Sequence, residues 1–167
     1  MFEPMGLDAS KIKVSRGGED PRSVRDRKEN DEFPVYSRGA ISLPSRPRIR
    51  FKWYQKKLVA ASVEKKTCGP VTHRGTTLFF ERHDYANLWH TMNDWFNTHW
   101  ALQQVFPEHT EQNIRIVFLD GHAKSALDDV WSTAFDAETM YVSQLPRDSC
   151  FERAVWIPKA TPLWDKD

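Results

Sequence analysis

The densest set of groups able to do chemistry lies between Thr76 and Phe106, in TTLFFERHDYANLWHTMNDWFNTHWALQQVF. It holds Glu81, Arg82, His83, Asp84, Asn87, His90, Asn93, Asp94 and Asn97. His90 and Asp94 are four residues apart, so on a helix they project from one side. A carboxylate beside an imidazole orients the ring and raises its basicity, which makes the pair a candidate general base. The same spacing also describes an ordinary solvated helix face. As metal ligands the pair supplies two groups, with no HExxH and no Cys-rich motif beside it. A second candidate group is Asp120-Gly121-His122, where the glycine suits a tight turn.

The elements around these groups predict where they sit. Thr77 to Glu81 is a short apolar run with β-formers and reads as a buried strand. Asp84 is a fitting N-cap for a helix that runs to Pro107 over roughly 30 Å. At about 100° per residue, Tyr85, Leu88, Trp89, Met92, Trp95, Phe96, His99, Leu102 and Phe106 share one broad arc, the expected core face. Ala86, His90, Asp94, Asn97 and Ala101 fall opposite.

Ile114 to Leu119 reads as a strand covered on both faces. Ser125 to Asp128 reads as a capping-box variant opening a helix to about Phe135, with Ala126, Leu127, Val130, Trp131 and Ala134 on its buried side. Met140 to Val142 and Phe151 to Ile157 are further strands. Strand and helix in alternation imply a parallel sheet, and ligands of such sheets bind at the carboxyl ends of strands. Glu81–Arg82 and Asp120–His122 stand at two such ends.

The remainder of the chain carries weaker signals. Residues 1–47 combine five prolines with the mixed charge run Glu19 to Glu32 and few aromatics, and are expected to be poorly ordered, with Lys11 to Ser15 as an isolated edge strand. Residues 48–167 form the expected domain. Arg46 to Lys57 interleaves basic residues with Phe51, Trp53 and Tyr54, a pattern for single-stranded nucleic acid or for a charged edge strand. Gln55 to Lys66 reads as a short helix ending before Gly69-Pro70.

A net charge of +1 gives no whole-molecule case for a polyanionic partner. No apolar run is long enough to span a bilayer, and none follows basic residues at the start as a signal peptide would. Cys68 and Cys150 are either unpaired or joined in a single bridge, the latter only in an oxidising compartment. No GxGxxG, GxxxxGK[ST] or GxSxG motif occurs.

TLFFERHDYANLWHTMNDWFNTHWAL, IRIVFLDGHAKSALDDVWSTAF and CFERAVWIPKATPLWD together resemble the family 61 glycosyltransferases, most of all the plant-type β-1,2-xylosyltransferases of N-glycan processing. The resemblance runs through Tyr85-Ala86-Asn87, His90, Asp94, Asp120-Gly121-His122 and Cys150-Phe151, with a further similar segment over Lys11 to Glu32. It implies an α/β fold, a Rossmann-like parallel sheet forming the N-terminal half of a GT-B architecture. It implies an inverting transferase moving a pentosyl or hexosyl group, for the xylosyltransferases xylose from UDP-xylose, to an N-glycan core in the Golgi. His90 and Asp94 become the expected catalytic pair, and Glu81, Arg82, Asn87, Asn97, Asp120 and His122 the expected substrate-binding groups.

No metal and no cofactor is expected beyond the nucleotide sugar as substrate. The terminal Asp165-Lys166-Asp167 spells a DxD tripeptide, which without a preceding strand reads as chance. The second Rossmann-like domain and the membrane anchor of the Golgi relatives are not in this sequence. The chain therefore reads as a fragment with little transferase activity alone, and with exposed apolar surface through which it can associate. The alternative is a non-enzymatic glycan-binding or interaction module.

Overall fold

A computed structural model describes residues 5–13, 34–43, 62–64, 71–82, 85–106, 113–122 and 124–157. Its strands are β1 (Met5–Leu7), β2 (Ile12–Lys13), β3 (Val35–Tyr36), β4 (Ile41–Leu43), β5 (Ser62–Glu64), β6 (Val71–Phe80), β7 (Ile114–Phe118), β8 (Ala137–Tyr141) and β9 (Ser149–Ile157). Two α-helices, α1 (Leu88–Val105) and α2 (Asp128–Phe135), link β6 to β7 and β7 to β8.

Seven strands form one sheet in the order β5-β4-β1-β9-β6-β7-β8, and β2 pairs with β3 in a separate two-stranded sheet. The four strands β8-β7-β6-β9 are mutually parallel. Numbered along the chain, their spatial order is third, second, first, fourth, as in a Rossmann-like sheet. The alternation of strand and helix predicts this parallel unit, and the register β6 Leu78 opposite β7 Ile116 and β9 Val155 realises it. β1 lies antiparallel to both β9 and β4, so the sheet is mixed.

Strand alternation sends side chains to two layers. Leu78, Phe80, Ile116, Phe118, Tyr141 and Ile157 point to the helix layer, where they meet Trp131 and Phe135 of α2 and Trp95, Ala101 and Leu102 of α1. Phe79, Val117, Leu119 and Phe151 point the other way, towards Ile12, Ala40, Val142 and Leu145. Trp156 stacks on Phe79 at 4.5 Å, and Phe151 meets the same ring edge-on at 5.0 Å.

Residues 1–47 differ from expectation where they are described. β1 and β4 lie within the main sheet, and Met5, Leu7, Ile12, Ala40 and Ile41 are buried. The sheet thus draws strands from both sides of the expected 47/48 boundary. Low average hydrophobicity hid short apolar triplets that need only three residues each, because neighbouring strands supply their hydrogen-bond partners: β9 and β4 for β1, β1 and β5 for β4. Ile12–Lys13 pairs with Val35–Tyr36 instead of standing isolated. Ser62–Glu64 is a parallel strand beside β4 within the stretch expected to be helical. Arg46 to Lys57, His83, Asp84 and Asp165 to Asp167 lie outside the described residues.

The buried face of α1 is turned away from much of the expected arc, of which Trp95 and Leu102 still pack on the core. Leu88, Trp89, Met92, Phe96 and Trp100 are exposed, while Thr91, Asp94 and Thr98 are buried. Large side chains on the sheet and on α2, Trp131 above all, already fill the space beneath the helix. A face of threonines and Ala101, flanked by Trp95 and Leu102, lets the helix approach that surface. The threonine hydroxyls are satisfied within the helix: Thr91 donates to the Asn87 carbonyl at 3.0 Å and Thr98 to that of Asp94 at 2.9 Å. Burying them therefore leaves no orphaned hydroxyl. On α2, similarly, Val130 and Ala134 are exposed, as is Ala126 in the turn before it, whereas Asp128 and Trp131 are buried.

Candidate functional site at the carboxyl ends of the parallel strands

β6 ends at Phe80 and hands the chain to Glu81 and Arg82, both buried. Alternation continues past the strand, so the two side chains part. Glu81 accepts a hydrogen bond from the Tyr36 hydroxyl of β3 at 2.9 Å, tying the strand end to the N-terminal layer. Arg82 turns to the helix layer.

Arg82 is the centre of a buried charge cluster. Its Nη2 donates to Asp120 Oδ1 at 2.7 Å, its Nε to Asp120 Oδ2 at 3.2 Å, and its backbone amide to the same Oδ2 at 2.8 Å. Nη1 donates to both oxygens of Asp128, at 2.8 and 2.9 Å. Nη2 also reaches the His122 carbonyl at 3.1 Å. The guanidinium lies 4.4 Å from the Phe118 ring centroid, with Tyr85 and Tyr141 each at 5.4 Å. A planar fork with five donors suits two carboxylates at once, as a lysine would not.

Charge and burial set the protonation states here. Burial alone would raise the Asp120 pKa, but the Arg82 charge and its hydrogen bonds outweigh that and hold the carboxyl below its ordinary value. Burial likewise opposes the charge on Arg82, and the carboxylates of Asp120 and Asp128 overcome it, keeping the guanidinium charged. The Tyr141 hydroxyl donates to Asp128 Oδ2 at 2.7 Å. Burial and that bond to the carboxylate push its pKa up.

His122 closes the turn after β7. Its backbone amide donates to Asp120 Oδ1 at 3.0 Å, and its Nε2 lies 3.1 Å from the Arg82 carbonyl. A carbonyl accepts only, so Nε2 carries the proton in this bond. Tyr85 stacks on the imidazole at 4.5 Å. The ends of β6 and β7 are thereby joined by side chains as well as by the Leu119 amide donating to the Phe80 carbonyl at 2.8 Å. Arg82, Asp120 and His122, three of the expected substrate-binding groups, come together, and in this arrangement they bind one another.

Asn87, a fourth, caps α1 by accepting from the Trp89 amide at 3.0 Å. The N-cap is therefore Asn87, three residues later than the Asp84 expected from sequence. Tyr85 and Ala86 form a turn ahead of it. His90, Asp94 and Asn97 follow along α1 on the flank that turns inward. Asp94 is buried, and His90 and Asn97 are half-buried. The side expected to be solvated is thus largely shielded. Ser125 donates its amide to Asp128 Oδ2 at 3.0 Å, half of the expected capping box, and its hydroxyl accepts from the Leu127 amide.

Sequence reasoning did not single out Asp128, Tyr141, Tyr36 or Tyr85 as parts of this centre. Asp128 carries a signal, the S-x-x-D spacing, but that points to the helix start and not to an arginine 46 residues earlier. Among the described residues no group of three or more His, Cys, Asp or Glu side chains could hold a metal ion, and no helix is long and apolar enough to cross a membrane. Cys150 is disulfide-bonded, and the chain's other cysteine is Cys68.

No family model and no solved structure matches the chain. Two curated proteins do. The chain is 29% identical over 173 residues to a beta-1,2-xylosyltransferase of Oryza sativa subsp. japonica, covering 91% of this chain and 32% of that protein. It is 25% identical over 189 residues to the beta-1,2-xylosyltransferase of Arabidopsis thaliana, covering 89% of this chain and 34% of that protein. The chain spans about a third of the length of the relatives it matches, and over nine-tenths of its own length it is similar to plant beta-1,2-xylosyltransferases.

Proposed function

We propose that the chain is a Rossmann-like unit of an inverting glycosyltransferase of GT-B architecture, one that transfers xylose from UDP-xylose to the core of an N-glycan. The observation that carries this reading is the similarity to two beta-1,2-xylosyltransferases over nine-tenths of the chain. The parallel order β8-β7-β6-β9 supports it. In such a sheet the crevice opens where the strand order reverses, here outside the carboxyl ends of β6 and β9. The disulfide at Cys150 agrees with an oxidising compartment such as the Golgi lumen.

In an inverting displacement the acceptor hydroxyl attacks the anomeric carbon opposite the nucleotide. The bond from that carbon to the diphosphate oxygen breaks, and the nucleotide leaves with the electron pair. A base takes the acceptor proton. His90 is assigned that base, because it is the half-exposed member of the pair; Asp94, buried one helical turn on, positions the helix flank. Arg82, Asp120 and His122 hold the two strand ends in register beneath the crevice, while Glu81 anchors the opposite layer.

Calorimetric titration with an N-glycan core oligosaccharide and, separately, with UDP-xylose tests the reading. Saturable oligosaccharide binding that His90→Ala weakens at least tenfold, with folding unchanged, is the expected result. Absence of saturable binding to either ligand would overturn it. A second reading, a glycan-binding module without turnover, draws on Arg82, Asp120 and His122 binding one another at the strand ends. Xylosylated product from UDP-xylose and the same oligosaccharide, detected by mass spectrometry, excludes the module.

A further inference from the structure

α1 turns an apolar ridge to solvent. Leu88, Met92, Phe96 and Trp100 recur at every fourth residue, with exposures of 54%, 51%, 68% and 56%, and Trp89 stands beside them at 70%. Every fourth residue is the spacing of the ridge that packs helix against helix in the commonest crossing class. The helix contains a single formally charged residue, Asp94, and it is buried on the other side. The ridge therefore offers no charge for a polar or ionic partner to answer, and its residue types are those that dominate protein interfaces.

We propose that this ridge is a homodimer interface, occupied by α1 of a second copy of the chain. Two identical every-fourth-residue ridges interdigitate about a two-fold axis, with Met92 and Phe96 nearest the axis and Trp89 and Trp100 flanking it. An exposed aromatic side chain of ~150–250 Å² makes the ridge worth roughly 600 Å² per copy, so two copies bury about 1,200 Å², where stable interfaces begin. A second copy also answers an uncharged surface with an uncharged surface. The inference stands on the exposure and spacing of α1 and is independent of the reaction proposed above.

Sedimentation velocity of the intact chain from about 1 to 100 μM tests it, a range bracketing micromolar association. The expected result is a concentration-dependent monomer–dimer equilibrium in which acrylamide quenching of tryptophan falls as dimer forms. Phe96→Asp changes an exposed side chain, so it should shift the equilibrium at least tenfold towards monomer while circular dichroism stays that of the folded chain. Met92→Cys should give a covalent dimer on mild oxidation. A chain that stays monomeric across the range overturns the proposal. So does a dimer that Phe96→Asp leaves intact, or a monomer whose ridge is protected instead by an added oligosaccharide.

Discussion

Arg82 and Asp128 are 46 residues apart in the chain, yet the guanidinium Nη1 meets both oxygens of the carboxylate at 2.8 and 2.9 Å with both side chains nearly excluded from water. The contact joins the carboxyl end of β6 to the first turn of α2. With Asp120 on its other edge, the same guanidinium holds three successive chain segments of the parallel unit together.

Arg82→Met should therefore be among the most damaging single substitutions outside the apolar core. It leaves Asp120 and Asp128 buried without their cation, a class of change that costs about 3–5 kcal/mol. Urea denaturation read by circular dichroism measures it. Arg82→Lys should recover only part of the loss, since an ammonium cannot span both carboxylates.

Stability should fall at acid pH in a way traceable to Asp120. Its folded-state pKa lies below the ordinary value of 3.8, so its contribution is fully present above that value and is lost as pH falls through the lower folded pKa. Thermal melts from pH 7 to pH 2 should show a decline beginning near pH 4. Asp120→Asn should lower stability at neutral pH and flatten the acid limb.

Tyr141 predicts the opposite limb. Its pKa is raised by burial and by the bond to Asp128, so the stability tied to its proton is present below pH 10 and is lost as pH rises through the higher folded value. Tyr141→Phe removes the 2.7 Å hydrogen bond to a carboxylate and should cost about 1.5–3 kcal/mol at neutral pH. It should also blunt the alkaline decline in the same melts.

Gly75 is held by its backbone alone. Its φ is +80°, and an added Cβ would sit 2.5 Å from the Asn113 carbonyl oxygen, at the irregularity in β6 between His73 and Thr76. Gly75→Ala should destabilise the chain by more than about 1 kcal/mol, because a left-handed backbone and a backbone clash act together. Equilibrium unfolding measures it, with Arg74→Ala, an exposed neighbour, as the near-neutral comparison.

The disulfide at Cys150 sets a redox dependence. A bridge between the chain's two cysteines closes a loop of roughly 80 residues and should be worth about 4–5 kcal/mol by loop-closure entropy. Adding dithiothreitol should lower the melting temperature of the chain, and Cys150→Ser should reproduce the lowered value without further response to reductant.

By itself the sequence determined the parallel βαβαβ unit, because apolar runs of strand length alternating with longer segments admit few other arrangements. It located the chemically dense strand ends, Glu81–Arg82 and Asp120–His122, since polar groups directly after buried strands stand out in composition. Its resemblance to xylosyltransferases agrees with the similarity to the rice and Arabidopsis proteins.

Only the tertiary structure decided which face of α1 is buried. Periodicity records that a helix has an apolar side but not what lies beneath it, and a crowded sheet surface selected threonines and Asp94 over the tryptophan ridge. It likewise drew Met5–Leu7 and Ile41–Leu43 into the sheet, because the hydrogen bonds that stabilise such short strands come from distant partners. The place of Arg82 after a strand is legible in the sequence, but its clasp on Asp128 is a pairing across 46 residues that no local spacing encodes.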